Sequence, residues 1–564
     1  MKHLINIFFV MWAVCAVSGC KPETIMPEFS EQPITSISAT IDVNGYTDVV
    51  FTGTVKEGSD RIEIEFPYFY PEDSDNLFPE DALKNAKVKA VLVNNAVIKD
   101  PIVRMDLTEE NHITVIDQIK EEHEYIVTGK IVKSSACDIL SFSLPDLSLN
   151  GVIMGNDISL VSVNDLTPAI ASVTLSPHAT ISPDPRVEAL DYNEPVELVV
   201  TAHDGVTSKT YTVSKSIPEK IPSGIREGSA TVLFAKKIIE DLGLTDPNMT
   251  IGLGVSGNNV VLHTRGRNSL LIDKLSGSPV GELNLGSDLT ASTLRNFYAT
   301  SDDSGNMLYC NLTPNDGNVF KIWRYGKLAS SPEEYISWDA GGNSYGRKIS
   351  VTGSLDADAI ITAPLLTGTT TVFARWTVSG GQLVSQTPEL VTLSGLGGWT
   401  TNADLVYTEP DINSDYYVHA YTSNTLACVD GSTNTVVRAL SQISTNYIPN
   451  AVDCIEFNGI QYVATMQANP WNWGDADFAW LLDVSNADNF TGALDAVATG
   501  AAACPAVVYE SFAEYGPKSF GGTDNSNGTS DIILDVSEDG FYLYMYFMFT
   551  NGYVVGIQFD CIDM

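Results

Sequence analysis

Between residues 256 and 557 one short pattern returns six times, and that periodicity limits the chain more than any other feature. A polar turn opens directly into a strand: Ser256-Gly257-Asn258-Asn259-Val260-Val261-Leu262, Asp303-Ser304-Gly305-Asn306-Met307-Leu308-Tyr309, then Leu355-Asp356-Ala357-Asp358-Ala359-Ile360-Ile361. The piece returns at 413–418, 457–463 and 538–544, and each copy is followed by a further apolar segment, at 269–273, 319–323, 371–376, 426–430, 478–483 and 553–557. Gly, Asn and Asp tolerate the positive φ of a tight hairpin turn, and the β-branched and aromatic residues suit packed strands. Most intervals fall near the ~40–50 residues of a four-stranded propeller blade. The interval before the last unit is longer, and residues 500–530 read as inserted loops or a degenerate blade. Residues 229–564 are therefore expected to form a β-propeller of six blades, with seven as the alternative count. A string of further sandwiches is the competing arrangement. A ring must close to hide its edges. The strand at 230–235 precedes the first unit, so it is expected to supply the outer strand of the last blade.

Residues 33–217 carry a different repeat, of roughly 85 residues, the size of one small β-sandwich. Three anchors recur in order: a Leu-x-Pro (Leu77-Phe78-Pro79 and Leu166-Thr167-Pro168), an alternating strand (88–93 and 171–175), and a terminal Tyr-x-Val strand (Tyr125-Ile126-Val127 and Tyr211-Thr212-Val213). Two sandwiches are expected, at 33–133 and 134–217, and the whole chain is expected to be all-β.

The first nineteen residues have a secretory layout. Lys2 and His3 precede an apolar run from Leu4 to Val14, and small residues close it before Cys20. The run is shorter than the ~20 residues that span a bilayer, so residues 1–19 read as a signal peptide. Ala16-Val17-Ser18-Gly19-Cys20 resembles the lipobox of bacterial lipoproteins. That resemblance implies cleavage before Cys20 and acylation of its thiol, with residues 20–32 as a Pro-containing tether. Glu23 and Glu28 soon after Cys20 resemble the export signal of surface lipoproteins in gut-type Gram-negative glycan degraders. The stretch 179–185, with 195–205 and Tyr211-Thr212-Val213, resembles the immunoglobulin-like domains of unknown function at the front of such lipoproteins. The last 336 residues resemble the propeller-like domain of unknown function found behind them. The resemblance implies an outer-membrane lipoprotein, facing the periplasm or the cell surface, whose sandwiches act as spacer or adhesion modules.

Composition narrows the partners. The chain has 70 acidic and 31 basic residues and a formal net charge of −39. Phosphate backbones and anionic lipid surfaces need clustered Lys and Arg, so no nucleic acid is expected, and membrane contact is expected only through the lipid anchor. Six cysteines remain beyond Cys20, with no CxxC or Cys/His spacing for zinc and no pairing legible in the sequence. No GxSxG, HExxH or phosphate-binding Gly loop occurs, so no catalytic residue is assigned. His263 and His419 fall on strands, where a hydrogen-bonded structural histidine is the expected role. Asp302, Asp303 and Asp524 lie in acidic turns that could hold Ca²⁺ or serve as plain hairpins; no other cofactor is expected. Aromatic loops offer the functional lead. Trp471 and Trp473 lie between two strands of one unit and Trp399 starts another; Trp faces can stack on sugar rings while Asn and Asp bond hydroxyls. The expected function is binding of a glycan or an envelope protein partner through propeller loops. A propeller glycoside hydrolase or lyase, and a structural or adhesive protein, are the alternatives.

Overall fold

The computed structural model describes residues 32–563 apart from 56–57, 101, 167, 329–330, 401, 422–424, 442–447, 471–476, 495–502 and 512. The chain divides into two units between Ile217 and Pro218.

The first unit holds two small β-sandwiches. In the first, Phe51–Thr54, Ile34–Thr40, Ala86–Leu92 and Arg104–Met105 form one sheet; Arg61–Pro67, Glu122–Val132, Asn111–Ile116 and Val97–Ile98 form the other. Alternation along Arg61–Pro67 turns Ile62, Ile64 and Phe66 into the core and leaves Arg61, Glu63 and Glu65 outside, as a two-residue side-chain period requires. The second sandwich repeats the wiring. Arg61–Pro67 runs parallel to the strand containing Tyr125 and sets Ile62 opposite Val127. Asp157–Val161 runs parallel to the strand containing Tyr211 and sets Ile158 opposite Val213. The Tyr-x-Val anchors are thus the buried ends of equivalent strands in two separate cores.

The second unit is a closed six-bladed propeller. Its innermost strands are Thr250–Ser256, Tyr298–Ser301, Ser350–Gly353, Ala403–Tyr407, Ile448–Phe457 and Ser530–Val536, each starting an antiparallel sheet. Every turn-strand piece in the sequence is the hairpin between a first and second strand, and every following apolar segment is a third strand. Closure follows the expected route: Thr231–Lys237 pairs with Tyr553–Asp560 and completes the sixth blade. Val507–Glu510 is the fourth strand of blade 5, so among the described residues the long interval near 500–530 holds no seventh blade. Inner strands such as Thr250–Ser256 and second strands such as Tyr542–Phe549 are buried almost throughout, because neighbouring blades cover both faces. Among the described residues no helix is long and apolar enough to cross a membrane.

Candidate functional site: the propeller hub and its mouth

The innermost strand of a blade is a sheet edge, and its outward N–H groups are buried where blades meet. A buried unpaired N–H is costly, so each junction needs an acceptor. The chain supplies one at every junction. Ser301 Oγ accepts from Val255 N–H (2.9 Å), Asp302 Oδ2 from Leu355 N–H (2.7 Å) and Thr352 Oγ1 from Tyr407 N–H (3.1 Å). Asp404 Oδ2 accepts from Val452 N–H (3.3 Å), Asp453 Oδ2 from Leu534 N–H (2.7 Å) and Asp531 Oδ2 from Leu253 N–H (2.6 Å). The six bonds form a ring of clips. In five of them the N–H comes from the following blade; at the junction of blades 1 and 2 it comes from the preceding one.

The carboxylates of this hub are held away from water. Burial pushes Asp404 up to about 6, and raises Asp453 far above the carboxylate range. Asp531 is also raised by burial, against the opposing charge of Lys348. The Lys348 ammonium lies 2.5 Å from Asp531 Oδ1 and donates to Ser530 O (3.1 Å). Tyr298 O–H donates to the same carboxylate at 2.9 Å. Asp303 is exposed in the hairpin after Ser301, and partial desolvation with the neighbouring Asp302 charge lifts it to about 6.

One end of the channel is lined by the segments that lead into the inner strands. Ile251, Phe297, Arg347, Lys348, Asn402, Thr529 and Ser530 surround a crevice there. Gly346 positions Arg347: with φ at +100°, its missing side chain leaves room where a Cβ would sit 1.9 Å from Asn311 O. Arg347 then donates to Asn402 Oδ1 (2.8 Å) and Asn527 O (2.9 Å). Arg265 leaves the second strand of blade 1 and lays its guanidinium 4.0 Å from the centre of the Phe297 ring. This convergence of cations and amides can recognise a polar ligand.

The residues singled out from sequence fare differently. Cys20, Trp471 and Trp473 lie outside the described residues. Trp399 does not offer a stacking face: it is fully buried, and its indole N–H donates to Leu365 O at 2.8 Å. The reason is local, since Gly398 presses its backbone against Thr369 and the ring drops under the loop. Asp302 is buried and already accepts from Ser304 N–H, Asn306 N–H, Asn306 Nδ2 and Leu355 N–H, so it is a turn and junction residue. Asp524 lies in a turn whose backbone carbonyl accepts from Asn551 Nδ2 (2.9 Å). Neither Asp302, Asp303 nor Asp524 converges with two further acidic, His or Cys ligands among the described residues. The trio that does, Asp117, Glu121 and His123, is a hairpin turn in which Asp117 accepts from Ile119 N–H, Glu121 N–H and His123 Nε2. His263 is bonded to Asn296 O (2.7 Å) and Ser269 Oγ (3.1 Å), and His419 to Thr465 Oγ1 (2.5 Å). Burial lowers them to about 4 and about 3, which keeps both neutral. The six described cysteines are unpaired.

The aromatic stretch 66–71 forms part of a second concavity, a cleft of about 410 Å³ lined by Tyr68, Phe69, Tyr70, His178 and His203 among others. Its ring faces are spent on one another: Phe69 stacks on His203 and lies 4.3 Å from His178, while Tyr70 packs on Tyr46. Sequence reading missed Arg265, Arg347 and the hub carboxylates. The available signals were paired cations in an acidic chain (Arg265-Gly266-Arg267 and Arg347-Lys348) and lone Asp residues inside apolar strands, such as Ala403-Asp404-Leu405.

Comparison with known proteins returns families of undescribed role. Residues 15–129 match a domain of unknown function, DUF5018, and residues 139–215 match another, DUF8499. None of the matched families is described by a catalytic activity. A comparison with curated proteins gives no match. Among solved structures, a DUF4623 family protein from Bacteroides eggerthii aligns at 16% identity and TM-score 0.47, over 76% of this chain and 99% of its own. The hydrazine synthase of Kuenenia stuttgartiensis aligns at 13% identity and TM-score 0.28, over 53% of this chain and 74% of its own. The remaining match spans residues 232–560, all six blades and most of the chain, so the protein belongs to the family described as Domain of unknown function (DUF8500).

Proposed function

We propose that this protein is a lipid-anchored envelope protein that binds a glycan at the mouth of its propeller channel, with the two sandwiches as spacer. The observation that carries this reading is a crevice at one end of a ring already locked by its own hydrogen bonds, where Arg347, Lys348 and Asn402 meet and Phe297 carries the Arg265 guanidinium on its ring. A rigid scaffold that presents polar groups at one opening suits recognition. The lipobox-like ending at Cys20 supports the anchor. Glycan-array binding by the purified chain tests the reading, with calorimetry on the hits. The expected result is retained affinity for at least one oligosaccharide class, weakened by Asn402→Ala. Absence of binding across polysaccharides from plant, host and microbial sources would sink it. Loss of membrane fractionation in Cys20→Ala, with normal folding, is the expected outcome for the anchor.

Hydrolysis is the second reading, favoured by Asp303. A carboxyl raised to about 6 beside a second acid, Asp302, in an exposed turn is suited to general-acid work. Reducing-sugar release from the same panel, abolished by Asp303→Asn, would establish it.

A further inference from the structure

Arg265 is in an unusual position. It is 9% exposed, its Nε and Nη2 are buried, and neither has a hydrogen-bond partner. No carboxylate among the described residues pairs with it. The remaining contact is the Phe297 face, and the nearest strong charge is the like charge of Arg347. Arg347 itself meets only neutral acceptors, Asn402 Oδ1 and Asn527 O. Burial lowers the two guanidiniums to about 9 and about 10, so both stay charged near neutral pH.

Most other arginines of the propeller meet a carboxylate, although Arg438 is bonded to Cys428 Sγ and leaves its Nε without a partner. Arg226 forks onto Asp560 (2.8 and 2.6 Å), Arg295 bridges Asp288 and Asp316, Arg324 reaches Asp356, and Arg375 reaches Glu389. With 70 acidic residues against 31 basic ones, counter-charge is abundant in this chain. At the channel mouth it is missing. A buried cation without a partner is strongly disfavoured, and near neutral pH these guanidiniums keep their protons and so keep that cost. Such a group is stabilised when an external anion supplies the missing charge and acceptors.

The crevice fixes how much of that anion can enter. Bounded by Phe297 and Arg347, it has about 10 Å³, room for about one water-sized group. One oxygen of a carboxylate or sulfate fits; a sugar ring does not, and would stay outside at the mouth. We infer that Arg265 and Arg347 form a site for the oxyanion substituent of an acidic sugar, a carboxylate or a sulfate. This deepens the proposed glycan binding and rests on it only for the sugar, not for the anion. Lys348 takes no direct part, because Asp531 already holds its charge.

The test uses the purified chain and two readouts. Thermal unfolding followed by Trp fluorescence is measured with sodium glucuronate, sodium sulfate and glucose, at matched ionic strength. Titration calorimetry is run with trigalacturonate and its neutral methyl ester. Glucuronate or sulfate is expected to raise the melting temperature and glucose is not; the stronger of the two anions identifies the substituent. Arg265→Gln is expected to remove the shift, while its own ligand-free melting temperature stays level or rises. If carboxylate is the substituent, trigalacturonate is expected to bind roughly tenfold tighter than its ester, an advantage that Arg265→Gln erases. Arg347→Gln provides the same comparison should Arg265→Gln fold poorly. An equal anion shift in wild type and variants, or no shift with either anion, overturns the site. Oligosaccharide binding that ignores charge and both arginines would overturn it while sparing the glycan reading. An Arg265-dependent anion shift with no oligosaccharide binding would do the reverse.

Discussion

The two units of this protein treat their acidic residues in opposite ways. In the sandwiches, most carboxylates sit at the surface and several are pulled down by partners: Asp42 by Arg104, Asp138 by Lys209 and Tyr211, Asp184 by Arg186, Asp204 by Thr207. In the propeller several are buried and pushed up: Asp404, Asp453 and Asp531 in the hub, and Asp477 beside the third strand of blade 5, where it accepts from Asn469 N–H. A sandwich hides its backbone groups within its own two sheets. A propeller must also satisfy the inner edge of every blade, and it spends buried side chains to do so. The same residue type is solvation in one region and a structural fastener in the other. A native probe separates the regions, because Trp12 is the only tryptophan before Trp323 and the other seven lie from Trp323 to Trp480. Trp fluorescence therefore follows the propeller.

The largest effect is expected for Asp531→Ala. It orphans Leu253 N–H and leaves the Lys348 ammonium buried and unpaired, a change that costs about 3–5 kcal/mol. The Trp-detected transition should fall steeply while a calorimetric transition of the sandwiches stays in place. A joint fall of both would contradict the division of labour. Gly346→Ala comes next. A Cβ there meets Asn311 O at a backbone angle that side chains avoid, for a loss of about 2 kcal/mol, and anion binding at Arg347 should weaken with it.

Acidity gives a smaller, signed difference. Asp477 is lifted to about 7 by burial, from 3.8, and burial also raises Asp453 well above its ordinary value. Folded, these carboxyls hold protons that the unfolded chain has released, so stability falls as pH rises through 7. The buried His263 and His419 oppose this trend inside the same range, because as pH falls toward 6.5 the unfolded chain takes up protons on them that the folded chain does not. Comparison with Asp477→Asn isolates the carboxyl: lowering pH from 8 to 6.5 should raise the Trp-detected melting temperature of the wild type relative to the variant by on the order of 1 °C. An identical pH response in wild type and Asp477→Asn would refute it. In the sandwiches, the lowered carboxyls contribute stability above pH 3.8 that is lost only as pH drops through their folded values. Smallest of all is Asp42→Ala, an exposed partner of Arg104 and Lys87, which should leave every transition unchanged within error.

Much of the fold could be read from local chemistry. Ser256-Gly257-Asn258 and Glu538-Asp539-Gly540 announce hairpins because few residues accept their backbone angles; the strand at 231–237, stranded before the first repeat, announced the closing pair with Tyr553–Asp560. The site was less legible. Trp399 follows two glycines like a loop aromatic, but whether a ring points to solvent or core depends on what packs beneath it, and here it is buried. Asp302 fits a turn and a metal loop equally well until the next blade brings Leu355 N–H to it.

By itself the amino-acid sequence determined the strands, their turns, the two repeat periods and the manner of closure, because each is written in neighbouring residues. Only the closed ring decided which charges meet. Arg265 and Arg347 are 82 positions apart and belong to different blades, and the six junction clips join strands from one end of the propeller to the other. Electrostatics and burial depend on distance in space, and a turn pattern carries no record of what will stand across the channel.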